Sequence, residues 1–293
     1  MNEHFSSMTR DVDRLGDILK GFEENTQSLL IPGLPVIMRL DGKTFSKFTK
    51  GLERPFDAAF RHCMIETTKY IAKLMNAVTA YTQSDEITLV IMNPLNINDN
   101  SLSSVMFSSR VQKLVSISAA KASTYFNKML EKHLPAKAID AMSEEIDCPV
   151  LDSRAFNVPN EEWAALAVYW REVDCRKNAI TQAASVVYSH KELMHKNSGE
   201  KIEMMRQKGV NFEAYPDTYK RGTYVLKKRI FVELTAEELA RIPEKNRPTG
   251  PIERSAYLTG ALPRMGSLEN PVQVLFDPLT TVCFTEVYSY AGH

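Results

Sequence analysis

Three acidic residues stand beside short segments whose composition is typical of buried strands. Asp41 directly follows "VIMRL", and the adjacent pair Asp85 and Glu86 lies between "VTAYTQ" and "ITLVIM". Carboxylates that are brought together resist ionisation, and a divalent cation removes that repulsion. Mg²⁺ prefers carboxylate oxygens and keeps positions open for water and phosphates. The acids indicate Mg²⁺-dependent chemistry on a phosphate group, although a D-G turn and a charged hairpin tip explain each segment taken alone.

The residues around these acids suit nucleotide chemistry. Two Mg²⁺ ions about 3.5 to 4 Å apart would hold the attacking and leaving oxygens of a phosphoryl or nucleotidyl transfer. Gly42 has no Cβ, so its carbonyl oxygen can turn towards a metal, and the amides from Lys43 to Ser46 can hold phosphate oxygens. Adjacent strand residues point to opposite faces, so we predict Asp85 as a metal ligand and Glu86 as a neighbour, unless the turn brings both together.

Arg110 and Lys113 are three residues apart near the start of a predicted helix, which places them on one helical face. An arginine fork and a lysine charge on one face suit a triphosphate tail. An ordinary solvated helix face is the alternative, and it is the better explanation if the acids do not form a site.

The elements that position these residues follow from hydrophobic periodicity. Strands are predicted at 36–40, 78–83, 87–92 and 156–159, and helices at 55–76 and 104–132. This order is the βαββαβ pattern of the ferredoxin-like fold, which is shared by the palm of polymerases and by nucleotide cyclases. We therefore predict an α+β protein whose antiparallel sheet carries helices on one face. The first and third strands are neighbours in this topology, so Asp41 and Asp85 would meet at one sheet edge.

A predicted helix at 160–190 carries an apolar stripe that includes charged positions. Lys177 falls within the stripe and Asp174 at its border, and ionised groups on a core face are costly unless they are paired. Either these groups pair with neighbours or the stripe faces a site, which Asn178 would join one turn after Asp174. The stripe consists of Trp163, Leu166, Trp170, Val173, Ile180, Ala184 and Val187.

Residues 186–230 contain ten lysines and arginines against five acids, with tyrosines interleaved. Basic groups neutralise RNA phosphates and tyrosines stack on unpaired bases, so this segment is a candidate RNA surface. An ordinary solvated surface is the alternative. The segment includes Lys191, Lys196, Lys220 and Arg221, together with Tyr188, Tyr215, Tyr219 and Tyr224.

The remaining boundaries divide the chain into four parts, with further helices predicted at 9–24 and 195–209 and a strand or hairpin arm at 222–234. Five prolines and three glycines predict a loop or linker at 243–271, and "VQVLFD" predicts a last strand. The parts are an N-terminal helix and lead-in (1–33), a palm-like catalytic core (34–150), a helical, basic RNA-contact part (151–230) and a C-terminal extension of unassigned role (231–293).

Composition limits the class of protein. The 293 residues are 44% hydrophobic and 25% charged with no net charge, so an RNA partner would be bound by a local patch rather than a global field. The four cysteines form no C-x-x-C pair, which argues against a zinc site and favours a reducing, cytoplasmic location. The charged N-terminus does not resemble a signal peptide, and no apolar run reaches the length of a membrane span.

Six segments in order resemble the tRNA-histidine guanylyltransferase family of 3′-to-5′ nucleotide-adding enzymes. They are "VIMRLDGKTFSKFT", "RPFD", "AYTQSDEITLV", "DSRAFNVP", "WREVDCRKNAI" and "YKRGTYV", and the resemblance extends over roughly residues 14 to 229. "LGDILKGFE", "RKNAI" and "SHKELMHKN" are more similar to the bacterial and phage members, the guanylyltransferase-like branch.

The resemblance implies roles for individual residues. Asp41, the Gly42 carbonyl and Asp85 match the metal ligands, and Glu86 matches the second essential acid. Positions near the activating nucleotide and positions linked to tRNA are matched as well. The family also implies Mg²⁺ as cofactor and ATP, GTP or other nucleoside triphosphates as substrates. It further implies a tRNA partner and a homotetramer. The matched nucleotide-binding residues are Lys43, Thr44, Phe45, Ser46, Arg54, Asp57, Ser84, Arg110 and Lys113, and those linked to tRNA are Arg154 and Asn178.

Two departures favour one activity of the family over another. Eukaryotic members carry His-Ile-Asn-Asn where this chain has "RKNA", and a histidine where it has Ser46. Templated repair of a truncated tRNA 5′ end is therefore expected, and untemplated addition of guanosine to tRNA-His is the alternative. A nucleotide cyclase and a non-catalytic RNA-binding module also stay open, because the same palm and acids serve cyclases and a basic surface needs no catalysis.

Overall fold

The computed structural model describes residues 12–92, 106–141 and 148–290. Its strands are β1 (Val36–Lys43), β2 (Thr79–Gln83), β3 (Glu86–Ile91), β4 (Val150–Asn157), β5 (Thr223–Val232), β6 (Ile252–Ala261) and β7 (Glu286–Val287). The longer helices are α1 (Val12–Glu24), α3 (Ala58–Leu74), α4 (Val111–His133), α6 (Glu161–Ala184) and α8 (Ser198–Gln207). The short helices are α2 (Phe45–Phe48), α5 (Pro135–Ala141), α7 (His190–Leu193), α9 (Asp217–Lys220), α10 (Ala236–Ala240) and α11 (Pro271–Phe276).

The strands form one antiparallel sheet in the order β4-β1-β3-β2-β5-β6-β7. The first four strands of this order, with α3 and α4 between them in sequence, confirm the predicted ferredoxin-like α+β core. β1 is central between β3 and β4, and its last residue paired with β3 places Asp41 directly opposite Glu86. The sheet continues into β5, β6 and β7, so strands from each part of the chain after residue 33 share it.

Helices cover both faces of the sheet. The side chains of Val36, Met38 and Leu40 are fully buried on the face where α3 and α4 lie. Each such side chain contributes roughly 1.5 to 3 kcal/mol through removal from water. On the other face, Ile37 and Val90 pack with Ala164 and Val168 of α6. The two palm helices share one face as predicted, and α6 is the helical addition that covers the opposite one.

The buried face of α6 agrees with the predicted stripe only late in the helix, where Ile180 and Ala184 are buried. Trp163 and Trp170 are each 56% exposed and Leu166 is 50% exposed. The helix instead buries small side chains, which let it approach the sheet closely, and two charged residues, Arg171 and Glu172. The residue spacing of the two faces is similar, so side-chain size and tertiary pairing decided which face packs on the sheet. At the start of α6, Asn160 caps the helix, accepting a hydrogen bond from the Trp163 amide at 3.1 Å.

Three segment predictions were wrong. The loop predicted at 243–271 contains β6, which pairs with β5 from Tyr224↔Gly260 to Val232↔Ile252. Apart from Gly260, the glycines and prolines of this segment lie outside the strand and do not interrupt it. "VQVLFD" is helix α11 rather than a strand: Asn270 caps it and Pro271 occupies its first turn. A short apolar run is compatible with a strand or a helix, and here the Asn270 cap favours the helix. β4 begins at Val150, six residues before the predicted start.

Two of the predicted helices, at 9–24 and 104–132, include positions outside the described residues, namely 9–11 and 104–105. Within residues 12–92, 106–141 and 148–290, no helix combines the length and the apolar character that crossing a membrane requires.

Candidate active site

A tight turn between β2 and β3 carries Asp85 and is pinned to β1. Ser84 adopts a left-handed backbone conformation (φ 48°), and Gln83 pairs with Glu86 across the turn. The amide of Gly42 donates a hydrogen bond to the carbonyl oxygen of Asp85 at 3.1 Å. These contacts bring Asp41, Asp85 and Glu86 to one edge of the sheet.

Gly42 sits where no larger residue fits. A Cβ at this position would lie 2.5 Å from the ring of Phe45 and 2.9 Å from the Cβ of Asp85. Phe45 itself is 2% exposed and packs among Phe48, Phe60 and Phe126, so it holds the loop after β1 from beneath. The absent side chain allows the β1 loop and the Asp85 turn to touch.

The three acids open onto a cavity of about 350 Å³. Asp57, Asn178 and Arg171 line the same cavity, together with Arg61 and Tyr219. Asp57 caps α3, accepting hydrogen bonds from the Phe60 amide at 2.8 Å and the Glu53 amide at 3.1 Å. The remaining polar lining residues are Thr82, Gln83, Ser84, Gln182, Thr218 and Thr223.

Burial and like charge act together on Asp85. Burial raises the pKa of its carboxyl, hydrogen bonds from its own backbone and from Ser84 oppose that rise, and the charge of Asp41 adds to it. The two aspartates therefore interact unfavourably when both are ionised, which is the condition that a bound cation would relieve.

Glu86 is held by Arg171 of α6. The Arg171 guanidinium donates from Nε to Oε1 at 2.5 Å and from Nη2 to Oε2 at 2.7 Å, a bidentate pair between side chains about nine-tenths buried. Burial raises the pKa of Glu86, and Arg171 opposes that rise. Arg171 also donates to Asp174 at 3.0 Å, and Asn178 donates to the same carboxylate at 3.3 Å. Asp174 is therefore paired with neighbours, the first of the two alternatives for this position, whereas Lys177 is exposed.

Asp152 is an acid that sequence reasoning missed. It is the β4 partner of Asp41, and cross-strand partners lie on the same face of a sheet. Asp152, Asp41 and Glu86 thus occupy one row across three strands. The Asp152 carboxylate lies 3.5 Å from the guanidinium of Arg154, an exposed residue that was predicted to contact RNA.

One wall of the cavity, formed by Arg61, Thr218 and Tyr219, is supported from behind by the C-terminal extension. The Arg61 guanidinium stacks on the Tyr219 ring, 3.8 Å from its centroid, and Tyr219 in turn stacks on Phe56 at 4.7 Å. Arg61 also donates a hydrogen bond to Thr218. Glu286 of β7 accepts hydrogen bonds from the Thr218 amide and hydroxyl, both at 3.0 Å. The sequence around Arg171, Arg61 and Glu286 contains no local pattern that indicates their partners, which are Glu86, Tyr219 and Thr218.

The structure separates other predicted residues from the acids. Arg110 and Lys113 line a different cavity with residues of the segment that follows α1. Lys43, Thr44 and Ser46 are exposed beside the acids, and Arg54 is exposed ahead of Asp57. The predicted nucleotide-binding residues therefore divide into two groups. One follows Asp41 along the chain or precedes α3, and the other is the pair Arg110 and Lys113 in a separate cavity.

The predicted RNA-contact residues also divide into two groups. Arg154, Asn178, Lys191 and Lys196 are exposed. Lys220 and Arg221 are buried, and both pair with Asp217, at 3.1 Å and 2.6 Å. Tyr224, which was expected to stack on bases, is fully buried and donates its hydroxyl hydrogen to Glu172.

The chain is similar to known proteins in both sequence and structure. The family model described as tRNAHis guanylyltransferase (Thg1) matches residues 16–159. A protein of Acanthamoeba polyphaga mimivirus is 30% identical over 203 residues, which is 66% of this chain and 70% of that protein. The tRNA(His) guanylyltransferase of Neurospora crassa is 27% identical over 231 residues, 74% of each chain.

Solved structures give the same result. A bacterial tRNA(His) guanylyltransferase-like protein in complex with ATP superposes with a TM-score of 0.65 and 31% identity, covering 72% of this chain and 88% of that one. A bacterial protein of the same description in complex with GTP has a TM-score of 0.63 and 26% identity, covering 88% of this chain and 99% of that one.

Proposed function

Because this chain belongs to the tRNAHis guanylyltransferase family of nucleotidyltransferases, we propose that it adds nucleotides to the 5′ end of a tRNA in a Mg²⁺-dependent reaction. The observation that carries the proposal is the meeting of Asp41 and Asp85 at one cavity beside the side-chain-free Gly42. Lys43, Thr44 and Ser46 follow Asp41 and Gly42 along the chain and are exposed, and backbone amides and a lysine charge suit phosphate groups.

The donor set fits Mg²⁺. Asp41 and Asp85 supply carboxylate oxygens and Gly42 a carbonyl oxygen, the ligand types that Mg²⁺ prefers. Among the described residues no group of three or more His, Cys, Asp and Glu side chains is arranged to hold a metal, so backbone and substrate oxygens would complete the coordination. When bound, two Mg²⁺ ions would neutralise phosphate charge and favour the ionised form of an attacking hydroxyl.

The proposed reaction has two transfers. The 5′-monophosphate of the RNA attacks the α-phosphate of ATP, and pyrophosphate leaves as the adenylylated end forms. The 3′-hydroxyl of an incoming nucleoside triphosphate then attacks the RNA 5′ phosphate, giving its proton to solvent, and AMP leaves. An RNA that already carries a 5′-triphosphate skips the first transfer and releases pyrophosphate in the second.

The protein contributes positioning and charge. The loop from Lys43 to Ser46 would bind triphosphate oxygens, with Ser84 at the opposite turn. Arg54 and Asp57 lie at the start of α3, where the activating nucleotide would bind. Such positioning lowers a barrier without covalent chemistry by the enzyme. Arg110 and Lys113, in their separate cavity, would serve a second triphosphate or an RNA phosphate.

We infer templated repair rather than untemplated guanosine addition. "RKNA" at 176–179 and Ser46 depart from the eukaryotic residues at the corresponding positions, and the opposite strand of the acceptor stem would then select each nucleotide by base pairing. Arg154, Asn178, Lys191 and Lys196 are exposed and would contact the RNA.

An extension assay tests the proposal. The protein is incubated with Mg²⁺, ATP, four nucleoside triphosphates and a 5′-labelled tRNA that lacks its first nucleotides. Growth at the labelled end, dependent on the complement of the missing base, is expected. Asp41→Asn and Asp85→Asn should each reduce extension by at least about 100-fold, whereas Asp13→Asn on the exposed side of α1 should not.

Two results would contradict the proposal. One is the absence of extension for every tRNA, with or without a 5′-triphosphate. The other is unchanged extension by the Asp41 and Asp85 variants. A cyclic nucleotide formed from ATP or GTP without RNA would indicate a cyclase instead.

A further inference from the structure

A second cavity lies on the opposite side of α6 from the acids. It has a volume of about 440 Å³ and is bounded by α6, the start of α8 and the turn at 264–267. Arg171 and Asn178 of α6 face the candidate active site, whereas Glu172, Arg176 and Lys177 line this second cavity. The helix is therefore a shared wall between the two.

The lining of this cavity is strongly cationic. Arg176, Lys177, Arg221 and Arg264 line it, against a single acid, Glu172. Glu172 is already engaged, since its carboxylate accepts hydrogen bonds from the Tyr224 hydroxyl and the Met265 amide. Glu172 cannot balance four positive charges, although Arg176 and Arg221 also pair with acids outside the lining, Glu213 and Asp217.

Two of the cations keep buried nitrogen atoms without a hydrogen-bond partner. Arg176 pairs with Glu213 through Nη2 at 2.6 Å, yet its Nη1 is buried and has no partner. Arg221 pairs with Asp217 through Nη2, yet its Nε is buried and has no partner. Buried guanidinium nitrogens are normally satisfied, so these two groups keep hydrogen-bonding capacity that the protein does not use.

The other two cations stand exposed at the cavity. In the chain segments that the structure describes, neither Lys177 nor Arg264 forms an ion pair with a carboxylate. Ser198 also lines the cavity, at the first turn of α8, where amide groups and a hydroxyl add hydrogen-bond donors. Two exposed cations without an ion pair among the described residues, beside two partly buried guanidinium groups, give the cavity a positive potential that suits a phosphate group.

We propose that this cavity binds a backbone phosphate of the RNA whose 5′ end reaches the acids on the other side of α6, an inference that rests on the proposed function for its choice of RNA. A cavity separated from the catalytic acids by a helix is suited to a phosphate some distance along the chain from the reacting end. All of its cations lie beyond residue 159, outside the segment that the family model matches, so this contact belongs to the later part of the chain.

Charge reversal at the two exposed cations tests the proposal. The double variant Lys177→Glu/Arg264→Glu is compared with Lys73→Glu/Lys121→Glu, which makes the same change in charge at exposed positions on α3 and α4. The affinity for a fluorescently labelled tRNA is measured by anisotropy at several salt concentrations, and the affinity for ATP by titration. Unchanged thermal unfolding would show that each variant is folded.

The expected result is a tRNA dissociation constant at least tenfold higher for the Lys177/Arg264 variant than for the Lys73/Lys121 variant, with unchanged ATP affinity. The slope of log K against log salt should fall by roughly 0.7 to 0.9 for each RNA phosphate that the variant no longer neutralises. The neutral variant Lys177→Gln/Arg264→Gln should show a smaller decrease in affinity in the same direction.

Equal tRNA affinity of the two charge-reversal variants would overturn the proposal. A parallel loss of ATP affinity would also overturn it, because the cavity would then bind free nucleotide phosphates. The binding assay is independent of extension: a wild-type protein that binds tRNA through this cavity but never extends it would contradict only the proposed function. Normal extension and equal tRNA binding by all variants would contradict only the cavity's role.

Discussion

Arg171 and Glu86 form a buried bidentate ion pair that joins α6 to the strand edge where Asp41 lies. Breaking a buried pair by removing one partner is costly because the other charge is left in a low-dielectric site. Through this pair, the position of the helix that carries Asn178 is coupled to the row of acids.

Arg171→Met should lower the free energy of unfolding by about 3 to 5 kcal/mol, since Glu86 would lose its partner while remaining buried. Urea denaturation measures the change. Lys69→Met, which removes a partly exposed pair with Glu66 at 2.8 Å, is the control and should cost about 1 kcal/mol or less. The double variant Glu86→Leu/Arg171→Met should recover part of the loss. Equal effects of Arg171→Met and Lys69→Met would contradict this account.

Gly42→Ala should reduce both activity and stability. The added methyl group would meet Phe45 and the Cβ of Asp85, so the β1 loop and the Asp85 turn must separate. Overpacking of this kind costs about 1 to 3 kcal/mol, and we expect extension to fall by at least tenfold. Gly250→Ala, where nothing lies within 4 Å, should leave thermal unfolding and extension unchanged. A fully active Gly42→Ala protein would show that the close approach is unnecessary.

Glu286→Ala should weaken substrate binding without unfolding the protein. Its carboxylate holds Thr218, which in turn accepts a hydrogen bond from Arg61 at the cavity wall. Loss of charged hydrogen bonds worth roughly 1.5 to 3 kcal/mol should raise KM for nucleotide or RNA by about tenfold or more, with a smaller effect on kcat. Glu253→Ala, which removes an exposed pair with Arg229, is the matched control. An unchanged KM would separate the C-terminal extension from the site.

Stability should decrease on acidification through His62. Burial and the neighbouring His133 lower the pKa of His62 from 6.5 to about 4. The unfolded chain therefore takes up a proton that the folded protein resists, so the contribution of His62 to stability is fully present above pH 6.5 and is lost as the pH drops towards about 4. His62→Phe should reduce this decline in thermal unfolding while keeping the stack on Tyr290. His190→Gln, an exposed site, should keep the wild-type profile.

The core of the fold was predictable because its signals are local. The run Val36–Leu40 is apolar apart from Arg39 and begins with two β-branched residues, and the periodicity of α3 and α4 is helical over several turns. The elements of the C-terminal extension were less predictable. β6 depends on pairing with β5, and α11 depends on a cap formed by Asn270, which the apolar run after it does not reveal.

The candidate site was predictable in part. Asp41, Gly42, Asp85 and Glu86 were identified from residue types at strand ends, and the topology brings them together. Arg110 and Lys113 share a helical face as expected, but a helical face does not determine which cavity it lines, and theirs is separate from the acids.

The amino-acid sequence alone determined the ferredoxin-like core and the placement of the acids at its edge, because strand and helix periods, turn residues and connection order are read over a few neighbouring positions. Only the tertiary structure decided the partners of those acids. Arg171 reaches Glu86 across 85 residues, and Glu286 reaches Thr218 across 68. Such pairings are set by the packing of α6 and β7 onto the sheet, and packing between distant segments leaves no local pattern in the chain.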